Sequence, residues 1–293
     1  IFCDIDLKTF NIDANQIESK ITPKTKAILP VHLFGLPSEM DKINEIAEKN
    51  NLIVVEDAAC GFGSLYKNVH VGNFGNTGCF SFHPRKAITT GEGGMITTND
   101  DSLAIKLRSM RDHGAQLSDF QRHYGSKPYL LSEYPYAGYN YRLTDIQASI
   151  ATTQMKRASQ IVDERKKIAL KYNESLKESR FFQLPYFDDN LSHSYQSYPC
   201  IFDINNAMLK KVESVNDSRN KFMSYLQKTG ISTRPATHAV HMLDFYKRKY
   251  KINPDDYPNS RIANDCSISF PLFNGLRDDE QEYVIDFILK YLA

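Results

Sequence analysis

The chain has 293 residues, of which 41% are hydrophobic and 24% are charged, a composition typical of globular proteins rather than disordered chains. Lys and Arg together number 36 against 35 for Asp and Glu, so the net charge of +1 argues against a general nucleic-acid-binding protein. No apolar run approaches the roughly 20 residues that a membrane-spanning helix needs, so no membrane association is expected.

Short apolar runs alternate with helical periodicity in the first half of the chain. The runs predict strands over residues 27–31, 52–55, 79–82 and 95–98. Apolar residues spaced three or four apart predict a helix after each of the first and last runs, with Met40, Ile43, Ile46 and Ala47 on one and Leu103, Leu107 and Met110 on the other. Strands that alternate with helices predict a mostly parallel sheet that binds its ligand at the carboxyl ends of the strands.

A capping box marks the next helix. Thr144 and Gln147 have its spacing, and Leu143, Ile146 and Ile150 supply an apolar stripe. We expect this helix to continue through the charged stretch 163–167, which would form a solvated face.

The second half of the chain has a different sequence pattern. A helix is predicted around 222–227, closed by Gly230, and a last helix begins at Asp278. We expect a domain boundary inside or just after the long helix, near residue 155, which gives a first domain over 1–155 and a smaller second domain over 156–293.

The five cysteines are odd in number, widely spaced and without a CxxC pair. This pattern disfavours a disulfide framework and a thiolate metal site, so no metal is expected. It favours a reducing compartment such as the cytoplasm.

An acidic pair follows the second predicted strand. Asp57 comes directly after the apolar run 52–55 and Glu56, at the carboxyl end of a strand, where ligands bind. A carboxylate in that position needs a partner because its desolvation is costly. A helix N-cap aspartate would explain the same pattern equally well.

A lysine follows the third predicted strand. Lys86 comes after Ser81 in a loop that contains Gly91, Gly93 and Gly94, and glycines allow the backbone to approach a ligand closely. A lysine held in such a loop can lose its proton and form a Schiff base. A surface lysine beside a β-hairpin is the ordinary alternative.

The segment Gly138–Arg142 directly precedes the capped helix. Helix N-termini bind phosphate, and the side chains of Asn140 and Arg142 add hydrogen-bond donors. An ordinary aromatic turn is the alternative explanation.

Together, these three segments resemble the DegT/DnrJ/EryC1/StrS family of sugar aminotransferases, which depend on pyridoxal 5'-phosphate (PLP). The resemblance covers essentially the whole chain, and its most specific part is the Ser-Phe-His-x-x-Lys and Thr-Thr-Gly-Glu-Gly-Gly run over 81–94. It implies fold type I, the aspartate aminotransferase-like fold of the α/β class. In that fold a three-layer α/β/α large domain is followed by a smaller C-terminal α+β domain.

The resemblance implies roles residue by residue. Lys86 matches the lysine that forms a Schiff base with PLP, Asp57 the carboxylate on the pyridine nitrogen, and Ser81 a hydroxyl on the cofactor phosphate. Asn140 matches a residue that reaches the cofactor of the partner subunit, which implies a homodimer with shared active sites. Cys60 stands where many members carry Gln or His against the cofactor ring oxygen, so that contact is altered here.

The resemblance also implies an activity. The family transfers an amino group to a nucleotide-linked keto sugar, and the resemblance suggests L-glutamate as donor and a 4-keto-6-deoxyhexose as acceptor. The stretches 237–241 and 111–114 resemble the perosamine-synthase branch of the family. His241 falls on the family's histidine near the sugar, and His238 and Arg85 are further candidates for substrate binding.

Two alternative functions stay open. One is a PLP-dependent sugar dehydratase of the same fold, whose members tend to carry His in place of the Schiff-base lysine. The other is a catalytically silent relative that binds a sugar nucleotide. The intact pair Lys86 and Asp57 favours the aminotransferase over both.

The first residue, Ile1, corresponds to a point several dozen residues along in members of the family. The preceding stretch normally supplies the first helix of the large domain, a Gly-Thr phosphate-binding turn and an aromatic residue that stacks on the cofactor. The sheet would then expose an edge and an apolar face. We therefore expect the 293-residue chain to fold poorly or to bind cofactor weakly unless that stretch is restored.

Overall fold

A computed structural model describes residues 1–116, 124, 129 and 131–292. The strands are β1 (Ala27–Ile28), β2 (Ile53–Asp57), β3 (Leu65–Tyr66), β4 (Val69–His70), β5 (Thr77–Ser81), β6 (Gly94–Thr97), β7 (Leu191–Ser192), β8 (Tyr198–Ile201) and β9 (Ser267–Phe270). The helices are α1 (Ala14–Lys20), α2 (Met40–Lys49), α3 (Asp101–Met110), α4 (Asp145–Met155), α5 (Ala158–Leu176), α6 (Val212–Lys228), α7 (Asp244–Tyr250), α8 (Pro258–Cys266) and α9 (Asp278–Leu292).

A four-stranded sheet in the order β1-β2-β5-β6 organises the first part of the chain. The pairings β1–β2 and β2–β5 are parallel, as predicted, whereas β5 and β6 pair antiparallel. The register sets Asp57 opposite Cys79 and Ser81 opposite Gly94. The carboxyl ends of β2 and β5 therefore lie side by side at one edge of the sheet.

All four predicted strands differ in their bounds from the structure, and the first two of these differences bear on the site. β1 ends at Ile28 rather than at Val31, because Pro30 has no N–H to donate, and Val31 forms only an isolated bridge with Asp57. β2 instead runs two residues further than predicted, to Asp57 itself. Because of this extra length, Glu56 and Asp57 belong to β2 itself and lie at the carboxyl end of the strand.

Helix α2 has the predicted buried face of Met40, Ile43, Ile46 and Ala47. This face packs against the sheet and α1 in a core cluster that also contains Ala14, Ile17, Ile28, Val54 and Tyr66. Each fully buried aliphatic side chain contributes about 1.5–3 kcal/mol. This packing fixes the helix layer on one side of β2.

A second, largely aromatic core lies in the second half of the chain. The antiparallel pair β8–β9 is surrounded by α5, α6, α8 and α9. Its largest fully buried side chains include Tyr172, Tyr198, Phe202, Phe222 and Leu226. The predicted helices around 222–227 and from Asp278 are confirmed as α6 and α9.

The predicted long helix is wrong. The Thr144–Gln147 capping box is present, but α4 ends at Met155 and α5 begins at Ala158. The break lets α5 bury its own face in the second core, while Ile146 on α4 is 76% exposed. The local sequence favours helix throughout, so the tertiary packing decides where it breaks.

The N-terminal residues contact the last third of the chain. The buried Asp4 carboxylate accepts the backbone N–H groups of Asn259 and Ser260 at 3.0 and 2.9 Å. These groups belong to the first turn of α8, where N–H groups have no partner within the helix and a negative charge is favourable. Across the described part of the chain, no helix is both long and apolar enough to cross a bilayer.

Candidate active site

Asp57 and Ser81 end the neighbouring strands β2 and β5, so their side chains lie at the same edge. Oδ1 of Asp57 accepts the N–H of Ala59 at 3.0 Å. No helix begins there, because residues 58–64 form turns, so Asp57 is not a helix N-cap. The Oγ atom of Ser81 accepts the N–H of His83 at 3.3 Å, which starts the turn towards Lys86.

Lys86 lies in the loop that joins the antiparallel strands β5 and β6. Its N–H donates to the carbonyl oxygen of His83 at 2.9 Å, and its side chain is half-buried. Lys86 Nζ donates to Cys60 Sγ at 3.2 Å. Cys60 lies in the turn directly after Asp57, so the amine reaches across from one strand end to the next. The alternative of a solvated surface lysine does not describe this side chain.

Hydroxyl groups and glycines shape the rest of this loop. Thr89 Oγ1 donates to the Phe82 carbonyl oxygen at 2.9 Å, and Thr90 Oγ1 donates to the Glu92 carbonyl oxygen at 2.7 Å. Gly93 has φ +154°, and a Cβ there would lie 2.5 Å from Thr90 Oγ1. The sequence Thr-Thr-Gly-Glu-Gly-Gly thus folds the loop back onto its own strand.

A fully buried hydrogen-bonded pair, Glu56 with His32, supports the site from the other face of β2. Glu56 Oε2 accepts His32 Nε2 at 2.9 Å and the Gly72 N–H at 2.7 Å, and Oε1 accepts the N–H groups of Phe74 and Gly75. Because His32 Nδ1 accepts the N–H of Ser38, the imidazole proton is on Nε2 and points at the carboxylate.

The hydrogen bonds decide the charge of Glu56. Burial alone raises its pKa, but the bonds from His32, Gly75 and Gly72 outweigh burial and lower the pKa below the ordinary value of 4.5. Glu56 is not among the site residues predicted from the sequence. The signal was available in part, since alternate residues of a buried strand face opposite sides and a buried carboxylate must find donors.

The segment that carries Asn140 is held by main-chain bonds. Tyr139 N–H donates to the Met110 carbonyl oxygen at 2.7 Å, and an isolated bridge joins Asn140 with Asp112. Arg142 also contacts Asp112, at 3.1 Å. The Asn140 side chain is exposed. Main-chain hydrogen bonds therefore hold this segment against the end of α3.

The predicted substrate residues lie apart from this edge or in solvent. His238 and His241 line a groove of about 1250 Å³ beside the N-terminal residues, and neither Lys86 nor Asp57 lines it. His241 is buried, with Nε2 3.2 Å from the Pro254 carbonyl oxygen, and burial lowers its pKa below 6.5.

Arg85 is next to Lys86 but exposed. The structure thus brings together Asp57, Cys60, Ser81 and Lys86, and it leaves Arg85, Asn140, His238 and His241 outside that cluster.

Comparison with known proteins gives a consistent result. Residues 1–289 match the DegT/DnrJ/EryC1/StrS aminotransferase family. The GDP-perosamine synthase of Caulobacter vibrioides is 35% identical over 289 residues, which cover 97% of this chain and 71% of that protein. An aminotransferase structure from Psychrobacter cryohalolentis has a TM-score of 0.89 at 27% identity, over 100% of this chain and 75% of the other. Helicobacter pylori PseC, an aminotransferase of pseudoaminic acid biosynthesis, gives 0.87 at 26%, over 100% and 73%.

The sheet order, the layered helices and these structural neighbours define an enzyme of fold type I, as predicted. The chain belongs to the DegT/DnrJ/EryC1/StrS aminotransferase family, whose members are PLP-dependent sugar aminotransferases. It spans about three quarters of the length of the relatives named above. The predicted family and enzyme class are thereby confirmed, whereas the roles of single residues stay predictions.

Proposed function

We propose that this chain binds PLP at the cluster of Asp57, Cys60, Ser81 and Lys86 and transfers an amino group from L-glutamate to a nucleotide-linked keto sugar. A 4-keto-6-deoxyhexose is the proposed acceptor, supported by the likeness to GDP-perosamine synthase. The observation that carries the proposal is the 3.2 Å contact of Lys86 Nζ with Cys60 Sγ. It holds the amine beside the turn that follows Asp57.

The donor set fits PLP chemically. A carboxylate is the group that keeps a pyridine nitrogen protonated, an amine is the group that condenses with an aldehyde, and a hydroxyl donates to phosphate. Asp57, Lys86 and Ser81 supply these three groups from adjacent strand ends. When bound, PLP supplies an electron sink for the reacting substrate carbon.

Lys86 is the proposed acid and base. Its Nζ takes a proton from the substrate carbon and returns one to the adjacent cofactor carbon. This transfer requires an amine that is free to move. The thiol of Cys60 is a weak acceptor, so its hydrogen bond gives Nζ a resting position that costs little to leave. Asp57 is the proposed partner of the pyridine nitrogen and moves no proton.

Two further assignments accompany this proposal. The PLP-binding domain comprises 1–155 and the smaller domain 156–293. The enzyme works in the cytoplasm, which the odd number and wide spacing of its cysteines support. We retain Arg85, His238 and His241 as candidates for the sugar nucleotide, Arg85 because an exposed guanidinium beside Lys86 can meet a phosphate group.

Absorbance spectroscopy tests the amino donor. Purified chain mixed with PLP is expected to develop the visible band of lysine-bound cofactor, and L-glutamate should collapse that band within one turnover. D-glutamate is the matched control and should leave the band in place. A band that does not respond to L-glutamate would contradict the donor. No band at all, also when the stretch that precedes Ile1 in the family is supplied, would contradict the cofactor site. Adding GDP- or dTDP-linked 4-keto-6-deoxyhexose should then restore the band and yield an amino sugar.

We propose further that the chain acts as a homodimer in which Asn140 donates to the cofactor phosphate of the partner subunit. Asn140 is exposed, and it is followed on α4 by the exposed apolar side chains of Ile146 and Ile150. An apolar stripe of this kind is typical of a surface that a second chain covers.

The substitution Asn140→Ala is expected to weaken PLP binding by about 10- to 100-fold, because a hydrogen bond to a charged group contributes roughly 1.5–3 kcal/mol. Fluorescence titration with PLP measures the change. Asn205→Ala removes another exposed asparagine, which donates to the Arg180 carbonyl oxygen at 3.3 Å, and should bind PLP like the unaltered chain. Unchanged affinity in Asn140→Ala, or a monomer by sedimentation, would contradict the shared site.

A further inference from the structure

A glutamine from far along the chain bonds the backbone on both sides of Lys86. Gln196 Nε2 donates to the Arg85 carbonyl oxygen at 2.7 Å. Gln196 Oε1 accepts the N–H of Ala87 at 3.1 Å. One carboxamide thus satisfies a carbonyl before the lysine and an N–H after it, and we call this pair of bonds the Gln196 clamp. The donor and acceptor atoms are matched in one orientation only, so the amide cannot be reversed without losing both bonds.

The clamp is itself held rigidly. The N–H of Gln196 donates to the Phe34 carbonyl oxygen at 2.8 Å. The Gln196 carbonyl oxygen accepts Nη1 of Arg165, a buried residue of α5, at 3.2 Å. The guanidinium of Arg165 is fixed in turn by Asn274 at 2.9 Å. The main chain of Gln196 is therefore anchored to the second core, and its side chain reaches the loop between β5 and β6 that carries Lys86.

Within the loop, the Lys86 N–H also donates to the His83 carbonyl oxygen at 2.9 Å, and the remaining contacts act further downstream. Gln154 of α4 bonds both the N–H and the carbonyl oxygen of Thr89, and Thr90 N–H donates to Phe82. These bonds would hold the loop closed without fixing the peptide units that flank Lys86. The clamp fixes those two units, and hence the direction in which the lysine side chain leaves the backbone.

We propose that Gln196 is a positioning residue for Lys86. Its carboxamide holds the backbone in the orientation from which Nζ reaches Cys60 and the turn after Asp57. The inference rests on the proposed function of Lys86. It requires a carboxamide in particular, because a carboxylate would set an oxygen against the Arg85 carbonyl while keeping the bond to Ala87.

The test measures the reactivity of Lys86 in protein free of PLP. The chain and its Gln196→Ala and Gln196→Glu variants are pulse-labelled with acetic anhydride across a pH series, and labelling at Lys86 is read by peptide mass spectrometry. Labelling at Lys171, which pairs with Glu282 at 2.9 Å, serves as an internal reference. Both variants are expected to label Lys86 at least threefold faster and to form the visible band with PLP about tenfold more slowly.

Gln183→Ala is the matched control, since that half-buried glutamine also donates to a distant carbonyl oxygen, that of Leu7 at 2.7 Å. It should match the unaltered chain in both measurements. Normal labelling and normal band formation in a folded Gln196→Ala would overturn the inference. If Gln196→Ala does not fold, Gln196→Glu decides by the same criteria. A missing band in the unaltered chain, also when the stretch that precedes Ile1 in the family is supplied, would instead defeat the proposed function, while the labelling would still report on positioning.

Discussion

Replacing Lys86 by alanine is expected to lower turnover by about 10³-fold or more and to abolish the visible band that PLP forms with the protein. The reason is that proton transfer by a positioned side chain contributes about 10²–10⁴-fold, and this variant also loses the amine that binds the cofactor covalently. The measurements are single-turnover kinetics with L-glutamate and an absorbance spectrum after addition of PLP. The variant keeps Cys60, which accepts the Lys86 hydrogen bond, so the change is confined to the lysine.

Lys171→Ala is the control for Lys86→Ala. Lys171 is also partly buried and paired, with Glu282 at 2.9 Å, but it lies on α5 against α9. Its replacement should leave both the spectrum and the turnover unchanged. Residual turnover near the normal rate in Lys86→Ala would defeat the aminotransferase mechanism. Sugar-nucleotide binding with no turnover in either protein would favour the silent relative.

Glu56→Ala is expected to destabilise the fold by about 3–5 kcal/mol, because each buried donor left without an acceptor costs about 1–3 kcal/mol. The substitution removes the acceptor of the buried His32 and Gly72 N–H groups and of the partly buried N–H groups of Phe74 and Gly75. Chemical denaturation measures the change. Glu213→Ala is the control, because Glu213 pairs with Arg261 at 3.6 Å while 91% exposed, and it should cost no more than about 1 kcal/mol. Equal costs for the two variants would contradict this account of Glu56.

The same residue gives the stability a defined pH dependence. The pKa of Glu56 in the folded chain lies below its ordinary value of 4.5, so the unfolded chain takes up the proton first as the pH falls. Its contribution is therefore complete at neutral pH and is lost as the pH falls below about 4.5 and through the lowered folded value. Thermal unfolding of Glu56→Gln should show a flatter pH dependence in that acid range. Superimposable curves would refute this assignment.

Parts of the fold and site were predictable because their signals are local. The buried face of α2 repeats every three or four residues, from Met40 to Ala47, and the capping box of Thr144 and Gln147 lies within four residues. Asp57 could be placed at a strand end because the apolar run before it stops there. These features depend on neighbours in sequence, so the sequence alone defines them.

Other parts depend on contacts that no local pattern encodes. The helix breaks between Met155 and Ala158 because α5 buries its own face in the second core. The partner of Glu56 is His32, 24 residues earlier, and the pairing follows from packing of the sheet. Gln196 lies in a stretch with no motif, and its partners at Arg85 and Ala87 are 111 and 109 residues away.

The long reach of Gln196 bears on how the enzyme is made. A ribosome adds about 5–20 residues per second, so the loop that carries Lys86 is translated roughly 5–20 s before Gln196. Until then the backbone around Lys86 lacks the Gln196 clamp. Asp4 gains its partner in the first turn of α8 later still, once Ser260 has been translated. The site therefore matures late in synthesis, and the chain gains a fully oriented lysine only when most of its length has been translated.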